Sequence, residues 1–183
     1  MCLLDLGCGS GAAADYLASR CSLEILCVTN SRAQADICQL KFEKFEGRVR
    51  VIVADFDDLD LPAESFDAIY ALESIGYTKD LEAWLARCWQ SLKPGGRLLI
   101  RSPGEQDYRN VTEFFENWRY NFLGANLLVF KLRQLGFRCY GARGEAMAPS
   151  SLQPTDGAPH ATAKRHEQIP HYSRTRFNID CGD

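Results

Sequence analysis

The run Leu3-Leu4-Asp5-Leu6-Gly7-Cys8-Gly9-Ser10-Gly11 places an acid and alternating glycines at the end of a short apolar stretch. Glycines so spaced let the backbone turn tightly and bring the free N–H groups of a helix start up to a ligand, with no Cβ in the way. The spacing is G-x-G-x-G preceded by an acid, which differs from the G-x-G-x-x-G of a dinucleotide loop. Further along, Val28-Thr29-Asn30-Ser31 closes a second apolar run with side chains that donate and accept hydrogen bonds, and Asp55-Phe56 follows a third. Glu73 follows a fourth; a carboxylate there, partly desolvated, can accept a proton. The histidines His160, His166 and His171 all lie late in the chain, at a spacing that matches no zinc site, and no metal centre is expected.

These residues need elements to hold them. Cys2 to Leu6 reads as a strand, the glycines as a turn, and Ala12 to Arg20 as a helix. Glu24 to Thr29 is a second strand. Ser31 and Gln34 then form a capping box for a helix carrying Ala35, Ile37, Cys38, Leu40, Phe42 and Phe45, which Gly47 stops. Val49 to Ala54 and Phe66 to Leu72 are the third and fourth strands, separated by an acidic loop from Asp55 to Leu61. Between Lys79 and Leu92 the residues Leu81, Trp84, Leu85, Cys88, Trp89 and Leu92 recur at helical intervals, which gives one buried face. Pro94-Gly95-Gly96 turns the chain into a fifth strand, Arg97 to Arg101. An aromatic segment from Tyr108 to Phe122, a helix from Ala125 to Leu135 and a sixth strand from Phe137 to Ala142 follow.

Strand alternating with helix makes a doubly wound, mostly parallel α/β sheet of about seven strands the expected architecture. One domain is expected, with a core over residues 1–143, an exposed loop over 144–169 poor in large apolar side chains, and a final strand within 170–183.

Composition narrows the function classes. With 21 basic against 24 acidic residues the net charge is −3, which supplies no drive toward a phosphate backbone, so no nucleic-acid partner is expected. No apolar run is long enough for a membrane span. Eight cysteines without a C-x-x-C pair fit reduced core thiols, and with no signal-peptide pattern at the N-terminus the expected location is the cytoplasm.

D-L-G-C-G-S-G resembles motif I of the class I S-adenosylmethionine-dependent methyltransferases, and L-K-P-G-G-R from Leu92 to Arg97 resembles that family's turn before strand five. The likeness covers Cys2 to about Arg101. It implies a Rossmann-like sheet in methyltransferase order and S-adenosylmethionine as cofactor. Asp5 would then help hold the methionine end, and Gly7, Cys8, Gly9 and Gly11 would form the floor. Most relatives end strand two on an acid for the ribose, whereas V-T-N-S-R-A-Q resembles the variant of cyclopropane fatty acid synthases and of isoprenoid and tocopherol C-methyltransferases. This implies ribose contacts from Thr29, Asn30 and Gln34; Gln34 is equally explained by its capping box. Asp55 would meet the adenine amino group and Phe56 the ring, with Ala71 and Leu72 lining the pocket through backbone position. Relatives usually carry helices ahead of strand one, and this cover is expected to be missing here, the chain being read as a trimmed piece of a longer protein.

A-L-E-S-I-G-Y-T resembles the stretch of those C-methyltransferases in which a glutamate follows strand four. The expected reaction is therefore methyl transfer to a small or lipid-like acceptor, best an alkene carbon, through a carbocation that later loses a proton. Glu73 would be the base, with Tyr77 and Tyr108 the aromatic faces near the cation. O- or N-methylation of a metabolite, and a non-catalytic cofactor-binding subunit, are the alternatives. A homo-oligomer is compatible with this sequence.

Overall fold

The computed structural model describes residues 1–103, 124–144 and 174–181. Strands β1 (Cys2–Leu6), β2 (Glu24–Thr29), β3 (Val49–Val53), β4 (Phe66–Leu72), β5 (Leu92–Pro103), β6 (Phe137–Gly144) and β7 (Arg174–Cys181) form one sheet in the order β3-β2-β1-β4-β5-β7-β6. The pairs from β3 across to β5 are parallel, and β7 is antiparallel to both neighbours. Helices α1 (Ala12–Ala18), α2 (Arg32–Phe42), α3 (Leu81–Ser91) and α4 (Ala125–Gln134) connect them. The doubly wound, mostly parallel arrangement is the expected one. Tyr108, the aromatic segment around it, residues 145–169 and the three histidines lie outside the described residues.

Successive residues of β1 point to opposite faces, so both sides are packed. Leu4 and Leu6 enter a core with Ile69, Trp84, Leu85 and Leu98, while Leu3 enters the other with Ala14, Cys27, Cys38, Phe42 and Tyr70. In α2 only Ala35, Cys38 and Phe42 are buried, whereas Ile37 and Leu40 are exposed. The face is narrower because Ala35, Cys38 and Phe42 recur at i, i+3 and i+7, which leaves the intervening apolar positions outside the stripe. Phe45 is buried from a separate turn of 3-10 helix, Glu43–Phe45. Helix α3 matches its expected stripe and starts at Leu81, because the Asp80 side chain accepts from the Ala83 N–H at 3.0 Å and caps it.

Several expected boundaries are corrected: β3 ends at Val53, α4 at Gln134 and β6 runs on to Gly144. Helix α1 ends at Ala18, two residues early, with Ser19 as its C-cap. Strand β5 begins at Leu92 because the Pro94-Gly95-Gly96 turn is absorbed within it; between Phe66 and Ala68 of β4, β5 runs from Leu92 to Arg97, an irregularity that Gly95 permits with φ +73°.

Chain order runs outward from β1 to β3 on one side and from β4 to β5 on the other. The strand order therefore reverses between β1 and β4, and open parallel sheets bind ligands at the carboxyl ends of strands at such a point.

The glycine turn is locked onto α2. Gly11 has φ +76°, and a Cβ there would lie 2.5 Å from Phe42 Cζ and 2.9 Å from Cys38 Sγ. Gly11→Ala is expected to destabilise the fold by roughly 2–4 kcal/mol, from overpacking plus a left-handed backbone, read as a lower urea midpoint at unchanged slope. A midpoint within error of wild type would refute the packing argument.

Candidate active site

A cavity of about 670 Å³ opens at the reversal point. Each wall comes from the carboxyl end of one strand: Gly7 and Gly9 after β1, Thr29, Asn30 and Gln34 after β2, Asp55 and Phe56 after β3, and Glu73 and Tyr77 after β4. The structure thus brings together most of the residues singled out from sequence. Its size is that of an ordinary small-molecule site.

The floor is built by hydrogen bonds that fix the glycine turn. The N–H groups of Gly7 and Cys8 both donate to the Val28 carbonyl, at 3.0 and 2.9 Å. Ser74 Oγ donates to the Leu6 carbonyl at 2.5 Å, tying the exit of β4 to that of β1. Gly7, with φ +82°, lies so close to Ser74 that a Cβ would overlap the serine side chain. Beneath the turn, the thiols of Cys8 and Cys38 both donate to the Gly9 carbonyl, at 3.5 and 3.4 Å. Cys8, Gly11 and Ala71 do not line the cavity. Gly11 packs against α2, and the side chain of Ala71, fully buried, belongs to the core.

Asp5 also lies below the wall, 2% exposed, paired in register with Cys27 of β2 and Tyr70 of β4. Its Oδ2 has no hydrogen-bond partner and the Tyr70 hydroxyl completes none, although the hydroxyl is near enough to temper the effect of burial. Burial dominates, and the Asp5 carboxyl is pushed up to about 7. A buried carboxylate oxygen without a partner under a glycine turn is a place where an arriving cation would be stabilised.

At the far wall, Thr29 Oγ1 donates to Gln34 Oε1 at 2.6 Å, and Ser31 Oγ accepts from the Gln34 N–H at 3.4 Å. Half of the expected capping box forms; the Gln34 side chain turns to Thr29 and the cavity. Asp55 accepts from the Asp57 N–H at 3.0 Å and pairs with Lys79 at 2.7 Å, and the Lys79 contact leads in holding its carboxyl below the usual range. Phe56 packs edge-on against Trp84, with ring centroids 6.3 Å apart.

Glu73 has φ +58°, a left-handed conformation that costs a non-glycine residue of order 1 kcal/mol. Its N–H donates to the Arg101 carbonyl at 2.6 Å and its Oε1 meets the Arg101 guanidinium at 3.2 Å. The side chain is 50% exposed: the loop swings it out of the strand and onto Arg101. Ser31, read from sequence as a helix cap, lines the cavity too, as do Ser74, Thr78 and Lys79, which were not found from sequence. Only the acid at position 80, a helix cap, marked where the last two would fall.

Among the described residues no group of three or more His, Cys, Asp or Glu could hold a metal, and no helix is long and apolar enough to cross a membrane.

The methyltransferase domain family matches residues 4–100. An O-methyltransferase of Pyrenophora dematioidea is 32% identical over 143 residues, covering 74% of this chain and 54% of that protein. A sterol 24-C-methyltransferase of Debaryomyces hansenii is 32% identical over 98 residues, covering 52% of this chain and 26% of its own length. The crystal structure of geranyl diphosphate C-methyltransferase from Streptomyces coelicolor A3(2), in complex with Mg2+, geranyl diphosphate and S-adenosyl-L-homocysteine, superposes with a TM-score of 0.75. That alignment has 19% identity and covers 98% of this chain and 70% of that one. The chain belongs to the class I S-adenosylmethionine-dependent methyltransferases, and S-adenosylmethionine is the cofactor its site fits: a glycine cradle that a Cβ would fill, an orphaned buried carboxylate beneath it, and hydrogen-bonding walls. It spans about half the length of the O-methyltransferases it matches first.

Asp5 makes the ligand-free fold pH-dependent in a specific direction. Its folded value lies above its unfolded one of 3.8, so the folded state holds the extra proton and stability is lost as pH rises from about 4 through about 7. The loss is at most ~4 kcal/mol over that window. Asp5→Asn is expected to remove this slope while leaving other carboxylate contributions in place. Parallel urea midpoints for the two proteins between pH 4 and 8 would contradict the assignment.

Proposed function

We propose that this chain carries the cofactor-binding part of an enzyme that transfers a methyl group from S-adenosylmethionine to a small molecule, with a hydroxyl oxygen as the acceptor atom. The observation that carries the reading is the glycine-floored cavity at the strand reversal, closed on the β4 side by Glu73 and Tyr77. When bound, S-adenosylmethionine supplies an electrophilic methyl on a positively charged sulfur.

The chain's own residues do the rest. Gly7 and Gly9 let the backbone amides approach the methionine end, and an ammonium brought there draws the proton off Asp5. Thr29 holds the Gln34 amide toward the ribose side, with Asn30 beside it as donor and acceptor. Asp55 accepts from the adenine amine, while Phe56 covers the ring edge. Glu73, fixed on Arg101 and half exposed at its side chain, accepts the acceptor's proton. Oxygen is favoured because O-methyltransferases match over a larger share of this chain than the sterol C-methyltransferases do.

Alkene carbon is the second reading. Tyr77 and Glu73 share one wall, a ring face and a weak base such as a carbocation needs, and the sterol and geranyl diphosphate enzymes act on carbon.

Methyl-labelled S-adenosylmethionine offered with a panel of hydroxylated aromatics and isoprenoid alkenes separates the two, since label is expected on oxygen. In the same assay Glu73→Gln is expected to lower turnover by about 10²-fold with unchanged affinity for S-adenosylhomocysteine. Label on carbon would promote the second reading, and full turnover in the variant would remove Glu73 from the chemistry.

A further inference from the structure

We propose that Lys79 is a positioning residue for cofactor selectivity: by pairing with Asp55 across the mouth of the cavity, it fixes the carboxylate that tells an amino group from an oxo group at position 6 of the cofactor's purine. The proposal rests on the cofactor reading above and adds a residue to it.

Asp55 stands on the wall as an acid 38% exposed at its side chain, which by itself would rotate freely and compete with water. Two contacts stop it. One oxygen accepts from the Asp57 N–H at 3.0 Å, and the other meets Lys79 Nζ at 2.7 Å. Lys79 is in turn placed by a neighbouring carboxylate. Asp57, whose side chain is only 7% exposed, accepts from the Lys79 N–H at 2.8 Å and from the Thr78 hydroxyl, and faces the Arg87 guanidinium of α3 at 3.6 Å. Two aspartates of one loop thus have separate tasks: Asp57 anchors the approach to α3, and the lysine it delivers orients Asp55. The Lys79 contact also keeps Asp55 ionised, so it presents acceptors only.

Fixation matters more than attraction here. A mobile surface carboxylate gains little from an amine and can swing away from an oxygen, so it selects weakly. Held on two sides, it cannot avoid an oxo group turned toward it, and the mismatch is then borne by the ligand. The rest of Lys79 is solvent-facing, and the pair is open to screening by salt.

The test compares binding of S-adenosylhomocysteine with that of its deaminated 6-oxo analogue, S-inosylhomocysteine, by calorimetry on the whole chain. Wild type is expected to prefer the amine about tenfold at low salt, and Lys79→Met to shrink that preference to within about threefold while keeping the fold. Lys79→Arg restores it, and high salt erodes it in wild type but not in Lys79→Met. A role confined to stability would weaken both ligands alike and leave the ratio unchanged, which overturns the proposal. If wild type binds both ligands equally, Asp55 does not read the purine and the proposal falls with that assignment. If wild type binds neither, the cofactor reading itself fails.

Discussion

The cavity depends on one close approach, the contact of Gly7 with Ser74 where β1 and β4 leave the sheet side by side. Strand order reverses there, so no connecting helix fills the space above the two strand ends, and the loops that follow them must part. They part while staying tethered: Ser74 donates to the Leu6 carbonyl, and Gly7 and Cys8 donate to Val28 on the neighbouring strand. A side chain at position 7 would push the β4 loop away and take Glu73 and Tyr77 with it. The geometry of both halves of the site therefore rests on a missing Cβ.

The carboxylates around the cavity divide according to solvent. Asp5 is sealed under the glycine turn with an oxygen unpaired, so its energy is governed by desolvation and changes when a cation arrives. Asp55 sits at the rim and Asp57 largely buried behind it, where partners are lysine, arginine, hydroxyl and backbone N–H, and their energies are governed by pairing. An exposed pair such as that of Asp55 with Lys79 contributes little to stability. Their effect is on orientation, which is what a recognition wall requires.

Much of this was legible in the chain. Strands β1, β2 and β4 coincide with their expected limits because their apolar runs are bounded by turn residues, and the stripe of α3 follows from its spacing. The glycine turn, Thr29, Asn30, Asp55 and Glu73 were legible because each lies at or just after a strand end, and Gln34 because it stands three residues after the Ser31 cap. What escaped depends on contacts between distant segments. The exposure of Ile37 and Leu40 is decided by which face of α2 meets the sheet, and the pairing of Lys79 with Asp55 joins residues 24 apart. Domain limits beyond residue 144 and the role of Tyr108 stay expectations of the sequence.

Glu73 shows how backbone and charge act together in this fold. A residue at the end of a buried strand ordinarily continues in extended conformation, which here would aim its side chain along the strand axis. The left-handed turn at φ +58° instead sends the chain sideways, and the cost is offset by two contacts with Arg101, one through the backbone and one through the side chain. These contacts join the ends of β4 and β5, so the loop carrying Tyr77 is held at the same spot as the carboxylate. In the proposed reaction the methyl donor is already activated by its own positive charge, and a rigid brace that sets distance and angle between the reacting partners supplies most of what remains. Proton acceptance, in that reading, comes from the same residue whose backbone and side chain hold the edge of the site in place.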